Sequence, residues 1–236
     1  MKKSKLVIYI IAMCIWAYLQ ISAGSSNDLI HIYDGVVFDS TIVHYVRCFF
    51  LFACYSLYTH NEFETYINQY GTILVIRENS REKFFLHFGR RLLRLVLQIE
   101  AIRIGCYTAL MIVMKQGVTI NSPLLLFTSV FLNIFIYFFL LFIQMLVEIW
   151  CSGKIAVVIT LVNFLIGLGI SDIIDRSQFI SNKINILLIQ NLTMRIRVEC
   201  LIENEYMILI IVGGLLLCLG VIYAVAKMCF KEKDIL

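Results

Sequence analysis

The most constraining feature of this sequence is a series of long apolar stretches, separated by short polar or charged segments. Each stretch approaches the roughly 20 residues that a helix needs to cross a bilayer. None shows the ~10-residue apolar/polar alternation that is typical of a membrane barrel strand, and helices satisfy their own backbone hydrogen bonds inside a bilayer. The stretches, which we interpret as six transmembrane helices, occupy residues 6–23, 41–58, 95–114, 124–147, 155–170 and 206–228.

The composition supports a polytopic membrane protein. Of the 236 residues, 61% are hydrophobic and only 15% are charged, whereas roughly a quarter of the residues are charged in a soluble domain. The mean hydropathy of +0.87 excludes an ordinary cytosolic enzyme, a disordered chain and a disulfide-rich secreted module. We therefore predict the all-α fold class, with residues 1–236 forming a single transmembrane domain.

The basic residues predict the orientation of the chain in the membrane. Thirteen of the twenty Lys and Arg residues fall on the side that holds both termini and residues 60–94, and five fall on the other side. Because positively charged residues accumulate in cytoplasmic loops, we expect both termini to be cytoplasmic. The first apolar stretch is longer than a signal-peptide core, so we expect it to be retained as a span.

Sequence motifs for catalysis by this chain are missing. The phosphate-binding pattern G-x-x-x-x-G-K-[ST] and the zinc pattern H-E-x-x-H are absent, as is the G-x-S-x-G nucleophile elbow. The four histidines do not form a metal-ligand spacing. We therefore predict no catalytic residue, no metal site, no cofactor bound by this chain and no enzymatic activity by itself. Anionic lipid accounts for the cytoplasmic basic residues, so we expect membrane lipid and no nucleic acid as a partner.

The longest inner segment, residues 60–94, has the pattern of two short amphipathic helices between spans two and three. Phe63, Tyr66 and Tyr70 recur at helical spacing and give the first helix an aromatic face. Asn79 and Glu82, three residues apart, resemble the capping box that begins a helix, and they predict the start of the second helix. Two interpretations remain open: a surface loop held by lipid, or a docking element for a cytoplasmic protein. The mixture of acidic and basic residues and the tyrosines, which we expect to be exposed, favour docking.

The same segment resembles the permease subunits of ABC transporters of the type-2 exporter class, above all the small six-span permeases found beside bacteriocin and modified-peptide genes. Residues 230–236 are similar to the F-x-x-x-D-I/L ending of these permeases. Residues 70–84 are similar to their Y-G-x-x-x-x-x-R-x-x-S-R-x-K-F/W pattern, which falls here on Tyr70, Gly71, Arg77, Ser80, Arg81, Lys83 and Phe84.

The resemblance implies a transport subunit of the bacterial cell membrane. In that family a coupling helix of the inner segment docks into an ATP-binding subunit, present in two copies, which holds ATP and Mg. Two permease copies, as a homodimer or a heterodimer, would move a peptide or amphiphile for export or self-immunity. The alternative is an immunity or scaffold protein that binds a toxin or partner without ATP. We assign docking to the aromatic face of the first predicted helix and to the residues of the permease-like pattern, namely Phe63, Tyr66, Tyr70, Arg77, Ser80, Arg81, Lys83 and Phe84.

The outer segment, residues 172–205, contains the short apolar run 184–189 inside a polar stretch. This run is too short to span a bilayer. It is consistent with a re-entrant or interfacial helix, which the permease family often has at this position, or with a compact outer loop.

Three ionisable residues within spans are functional candidates, because charges are costly inside a bilayer. Glu100 and Arg103 are three residues apart on one helix face, and we expect them to pair. Arg47 lies at a different depth. We expect it to extend outward to an acidic residue such as Asp39, or to bind an anionic group at an outer vestibule.

Overall fold

The computed structural model describes residues 3–23, 27–35, 42–66, 81–176, 189–202 and 205–232, and the side chains of most of them. Within these ranges the chain is all-helical, as predicted, apart from an isolated bridge between Asp28 and Thr119. Two short 3-10 turns cover Leu29–Tyr33 and Ile189–Asn191. The α-helices are α1 (Lys3–Ala23), α2 (Ile42–Thr59), α3 (Glu62–Tyr66), α4 (Arg81–Val113), α5 (Pro123–Trp150), α6 (Gly153–Arg176), α7 (Arg195–Ile202) and α8 (Glu205–Glu232).

Five helices are long and apolar enough to cross a membrane, namely α1, α2, α4, α5 and α6. The chain thus has the helices of a multi-pass membrane protein. Helix α8 is 28 residues long, and its described apolar part, Leu209–Val221, is shorter than a span. The sixth span and the cytoplasmic location of the termini therefore remain predictions.

Helix α5 is the centre of the bundle. It contacts α2, α4, α6, α7 and α8. In its most apolar stretch of 18 residues, 56% of the residues are buried, against 33% in the corresponding stretches of α1, α4 and α6. The sequence explains this position, because a helix that is apolar on every face is stable only when neighbours surround it. Pro123 at the start of α5 suits the first helical turn, where its missing N–H has no helical partner.

The bundle has two ends, which we name by their residues. The proximal end holds Lys5 and α3. The distal end holds the Leu29–Tyr33 turn, the loop around Thr119 and α7. At the distal end Leu29 N donates to Thr119 O at 3.0 Å, so the connections after α1 and after α4 are joined.

Two boundaries differ from the sequence prediction. The third long helix begins at Arg81 rather than 95, so the predicted second amphipathic helix is the first part of α4. The basic residues of that part obscured its apolar face, which is formed by Phe88, Leu92 and Val96 at helical spacing, each at most 2% exposed. Helix α6 continues to Arg176, so residues 172–176, the first part of the predicted outer segment, form the last turn of a long helix.

Candidate functional site

A buried ion pair lies midway along α4. Arg103 Nη2 is 2.6 Å from Glu100 Oε1, and the two side chains are 1% and 3% exposed. The pairing that the i,i+3 spacing predicted is confirmed. Because the apolar part of α4 runs over Leu86–Val113, the pair lies near the middle of this stretch rather than close to its inner end. Charges at this position are stable only with close partners.

Three more side chains donate hydrogen bonds to Glu100. Tyr33 Oη is 2.6 Å from Oε1, Tyr55 Oη is 2.5 Å from Oε2, and Asn133 Nδ2 is 2.9 Å from Oε2. With Arg103, these donors come from the Leu29–Tyr33 turn, α2, α4 and α5. A carboxylate accepts about four hydrogen bonds, so Glu100 is fully satisfied. The carboxylate therefore joins four parts of the chain.

Two aromatic rings complete the surroundings of Arg103. Its guanidinium carbon is 4.7 Å from the centre of the Tyr33 ring and 5.4 Å from the centre of the Trp16 ring. Such cation–π contacts stabilise a desolvated cation. Arg103 Nε nevertheless has no hydrogen-bond partner in the part of the chain that the structure describes, so one donor of the guanidinium is unused there.

Arg47 does not extend into solvent, in contrast to the sequence prediction, and is only 4% exposed. The Leu29–Tyr33 turn and residues 190–194 cover this end of the bundle and line the same cavity as Arg47, which sequence periodicity could not show. Arg47 Nε is buried without a hydrogen-bond partner among the described residues. Asp39, its predicted partner, lies outside the described residues.

A small cavity of about 30 Å³ lies between Arg47 and Arg103. The same measure for one water molecule is about 10–15 Å³, so the cavity holds roughly two water-sized groups. Both apolar and polar side chains line it. The polar ones include Gln20, Tyr33, Asp34, Arg47, Arg103, Asn133, Tyr137, Gln190 and Thr193.

A second charge cluster holds the Leu29–Tyr33 turn to α7. His31 Nδ1 bonds to Asp34 Oδ2, and Arg195 Nη1 lies 3.7 Å from Asp34 Oδ1. Arg195 Nε also donates to Glu199 Oε1 at 2.7 Å. Burial opposes the charge of Arg195, but Glu199 and Asp34 outweigh it and raise the pKa of Arg195 above its usual value. The side chain therefore stays charged at any physiological pH.

A third polar group crosses from α2 to α6 through Gln144 of α5. Ser56 Oγ donates to Gln144 Oε1 at 2.7 Å, Thr160 Oγ1 lies 3.5 Å from the same oxygen, and Gln144 Nε2 donates to Glu148 Oε1 at 3.3 Å. Glu148 was expected after the fourth span, but α5 continues through Trp150 and contains it. Buried side-chain hydrogen bonds of this kind fix the rotation of neighbouring helices.

At the proximal end, α3 is fastened to two long helices. Glu62 lies 2.9 Å from Arg91 of α4 and 4.0 Å from Lys5 of α1. The Tyr66 ring lies 5.5 Å from Phe88, and the Arg91 guanidinium lies 5.4 Å from the Tyr66 ring. Tyr66 is only 7% exposed, so the expectation that it is exposed for docking is wrong. Its burial follows from the contact of α3 with α4, a tertiary packing that helical spacing alone does not reveal.

The other docking candidates lie wholly or partly outside the described residues. Helical backbone is described at Phe63, Arg81, Lys83 and Phe84, but their side chains are not. Tyr70, Arg77 and Ser80 lie outside the described residues. Docking through this segment therefore stays a prediction.

Sequence reasoning missed four buried polar residues: Tyr33, Tyr55 and Asn133, which bond to Glu100, and Gln144 of the third polar group. A signal existed for two of them. Asn133 and Gln144 are polar residues in the most apolar helix, and their separation of eleven residues is about three helical turns. They therefore share one face of α5, and both are 1% exposed. No sequence signal pointed to Tyr33, which reaches Glu100 only because the turn folds back over the bundle.

Among the described residues, no group of three or more His, Cys, Asp or Glu side chains is placed to hold a metal ion. Comparison of the chain with protein-family models, curated proteins and solved structures finds no match. The function is therefore argued from the residues and their arrangement.

Proposed function

We propose that this chain is the membrane-spanning permease subunit of an ATP-driven exporter of the ABC class. Three features support the proposal: the apolar helices, the permease-like pattern at residues 70–84, and a sequence without a phosphate-binding loop. An ATP-driven transporter without its own nucleotide site takes its energy from a separate subunit. That subunit would hold ATP and Mg.

The observation that carries the proposal is the attachment of α3 to the long helices. Glu62 connects α3 to α1 through Lys5 and to α4 through Arg91, and α3 also contacts α5. Residues 67–80, which carry most of the permease-like pattern, join α3 to α4 along the chain. A protein bound to them would therefore pull on both attachments and change the packing of α1, α4 and α5.

In the proposed assembly, two permease copies form the pathway and two ATP-binding subunits dock against residues 60–94. Both termini and this segment lie on the cytoplasmic side of a bacterial cell membrane. ATP-driven closure of the partner pair would move the segment and, through α3, the long helices. The cargo would be a peptide or amphiphile, moved for export or for self-immunity.

The test is purification of the tagged chain from its own membranes, followed by photolabelling with 8-azido-ATP. We expect a labelled polypeptide to co-purify at a one-to-one ratio with this chain. The triple variant Arg77→Glu, Arg81→Glu, Lys83→Glu should abolish its co-purification, because it reverses the basic part of the permease-like pattern. The matched control is Lys227→Glu, Lys231→Glu, Lys233→Glu, which reverses three charges near the C-terminus and should retain the partner.

Absence of a labelled polypeptide, or equal loss in both triple variants, would reject ATP coupling through this segment. The alternative function, an immunity or scaffold protein that binds a toxin or partner without ATP, would then be favoured. An immunity protein should still protect cells from the toxin when it carries the triple charge reversal at residues 77–83. The exporter should lose its protective effect in the same variant.

A further inference from the structure

The cavity between Arg47 and Arg103 has more donors than the chain uses. Arg47 is 4% exposed, and none of the described residues forms an ion pair with it or a hydrogen bond to its Nε. A guanidinium remains protonated in proteins, and a buried charge without a partner is strongly unfavourable. The side chain therefore needs an anionic partner.

The acidic residues near this cavity are already engaged. Glu100 accepts from Arg103, Tyr33, Tyr55 and Asn133. Asp34, which also lines the cavity, bonds to His31 and pairs with Arg195. Among the described residues, Arg47 is thus a cation that lines the cavity without a direct ion-pair partner.

The free donors indicate the chemistry of the missing partner. Nε of Arg47 and Nε of Arg103 are both buried and find no hydrogen-bond partner within the described ranges, and both side chains line the cavity. A guanidinium binds a planar carboxylate with particular strength through paired N–H donors. The volume of about 30 Å³ matches a group with two oxygens, since one water-sized group needs about 10–15 Å³ by the same measure.

We infer that this cavity is a carboxylate-binding site in which Arg47 is the principal ligand and Arg103 the second. The carboxylate comes from outside the chain, either as a small free acid or as the carboxyl terminus of a peptide. The inference does not depend on ATP coupling, because every residue it uses belongs to this chain. It adds to the proposed function a site with a defined ligand class.

The experiment measures the thermal stability of the purified full chain in detergent, with sodium acetate as the probe. Acetamide, a neutral molecule of similar shape, and sodium chloride at the same ionic strength are the reference solutes. At an acetate concentration about five times its Kd, we expect Tm to rise by roughly 2–4 °C. Acetamide and chloride should leave Tm unchanged.

The decisive variant is Arg47→Gln, which keeps much of the side-chain length and removes the charge. Acetate should bind it at least about 10-fold more weakly, as expected for loss of a hydrogen bond to a charged group. Without acetate its Tm should equal or exceed that of the native chain, because an unpaired buried charge has been removed. Arg197→Gln is the matched control, since Arg197 is 7% exposed, lies on α7 and does not line the cavity; it should retain the acetate response.

Two peptide probes identify the source of the carboxylate. A short apolar peptide with a free carboxyl terminus is compared with the same peptide as its amide. A peptide acid that binds at least 10-fold more tightly than both acetate and the amide assigns the site to a peptide terminus. Equal binding of acetate and peptide acid assigns it to a small free acid.

Three results would overturn the inference. The first is an acetate response no greater than that of acetamide or chloride. The second is a response that Arg47→Gln retains in full; if this variant does not fold, the comparison of acetate with acetamide on the native chain decides. The third is an acetate response seen only after Asp39→Asn, which would show that the chain fills the site with its own carboxylate.

Discussion

At the residue scale, the carboxylate of Glu100 is the centre of the buried polar network around Arg103. It faces one cation and three neutral donors within 2.9 Å. In a low-dielectric interior, such a network is favourable only while every member has a partner. The contribution of each side chain to stability is therefore measured as the loss of unfolding free energy when that side chain is replaced.

Replacement of Glu100 by Gln should be strongly destabilising, by about 3–5 kcal/mol, because it leaves Arg103 as an unpaired buried charge. Chemical unfolding of the purified chain measures the loss. Glu199→Gln is the control. It removes a partly exposed carboxylate paired with Arg195, and such pairs contribute about 0–1 kcal/mol. A loss as small as that of the control would show that Glu100 is not structurally required.

Tyr33→Phe should cost about 1.5–3 kcal/mol, the range for a hydrogen bond to a charged group. The ring remains over Arg103, so the change isolates the hydroxyl. Tyr107→Phe, at a tyrosine that is 2% exposed and forms no bond to Glu100, should cost less. Equal losses in the two variants would mean that the Tyr33 hydroxyl contributes nothing specific.

At the element scale, α3, the shortest α-helix among the described residues, has the most direct connection to the proposed partner. Helix α3 has only five residues, too few to be stable alone. Its position depends on Glu62 and on the burial of Tyr66 against Phe88. Surface ion pairs contribute little to global stability, so their role here is to hold α3 in place.

Glu62→Lys should loosen α3, because it places a third cation beside Lys5 and Arg91. We expect backbone amides of α3 to exchange hydrogen at least 10-fold faster, with little change in global stability. Adding Arg91→Glu should restore slow exchange by reversing the pair. Glu64→Lys is the control on the exposed side of α3. If hydrogen exchange in α3 is as fast in the double variant as in Glu62→Lys alone, the ion pair of Glu62 and Arg91 does not hold α3 in place.

At the scale of the whole molecule, the connections join the helices at two ends. The proximal end carries α3, and the distal end carries the Leu29–Tyr33 turn and α7. The positive-inside pattern predicts that the proximal end is cytoplasmic, and the proposed ATP coupling requires it. Orientation is therefore the property on which the function depends.

Fusion of reporters to full-length protein or to truncations tests the orientation. Green fluorescent protein after Leu236 should fluoresce, as it does in the cytoplasm, and alkaline phosphatase after Gly117 should be active, as it is outside. Swapping the two reporters should silence both. A silent fluorescent fusion together with inactive phosphatase after Gly117 would place residues 60–94 outside the cell and remove any route to cytoplasmic ATP.

The prediction of the fold from sequence succeeded where a local pattern sufficed. The apolar stretches predicted the long helices, and the i,i+3 spacing predicted the pair of Glu100 and Arg103. It was wrong at the start of α4, where the basic residues between Phe88, Leu92 and Val96 obscured the apolar face that these three side chains form. It was also wrong about the exposure of Tyr66 and Arg47, because segments distant in sequence cover both residues.

The sequence alone thus determined that this chain is a helical membrane protein, because long apolar segments have no other stable backbone arrangement in a bilayer. It also located the intramembrane charges. Only the tertiary structure decided how those charges are compensated. Glu100 collects donors from residues 33, 55, 103 and 133, whereas Arg47 lines a cavity without an ion-pair partner among the described residues. Contacts between segments so far apart in sequence depend on how the helices and turns pack. The spacing of residues along one helix does not predict this packing.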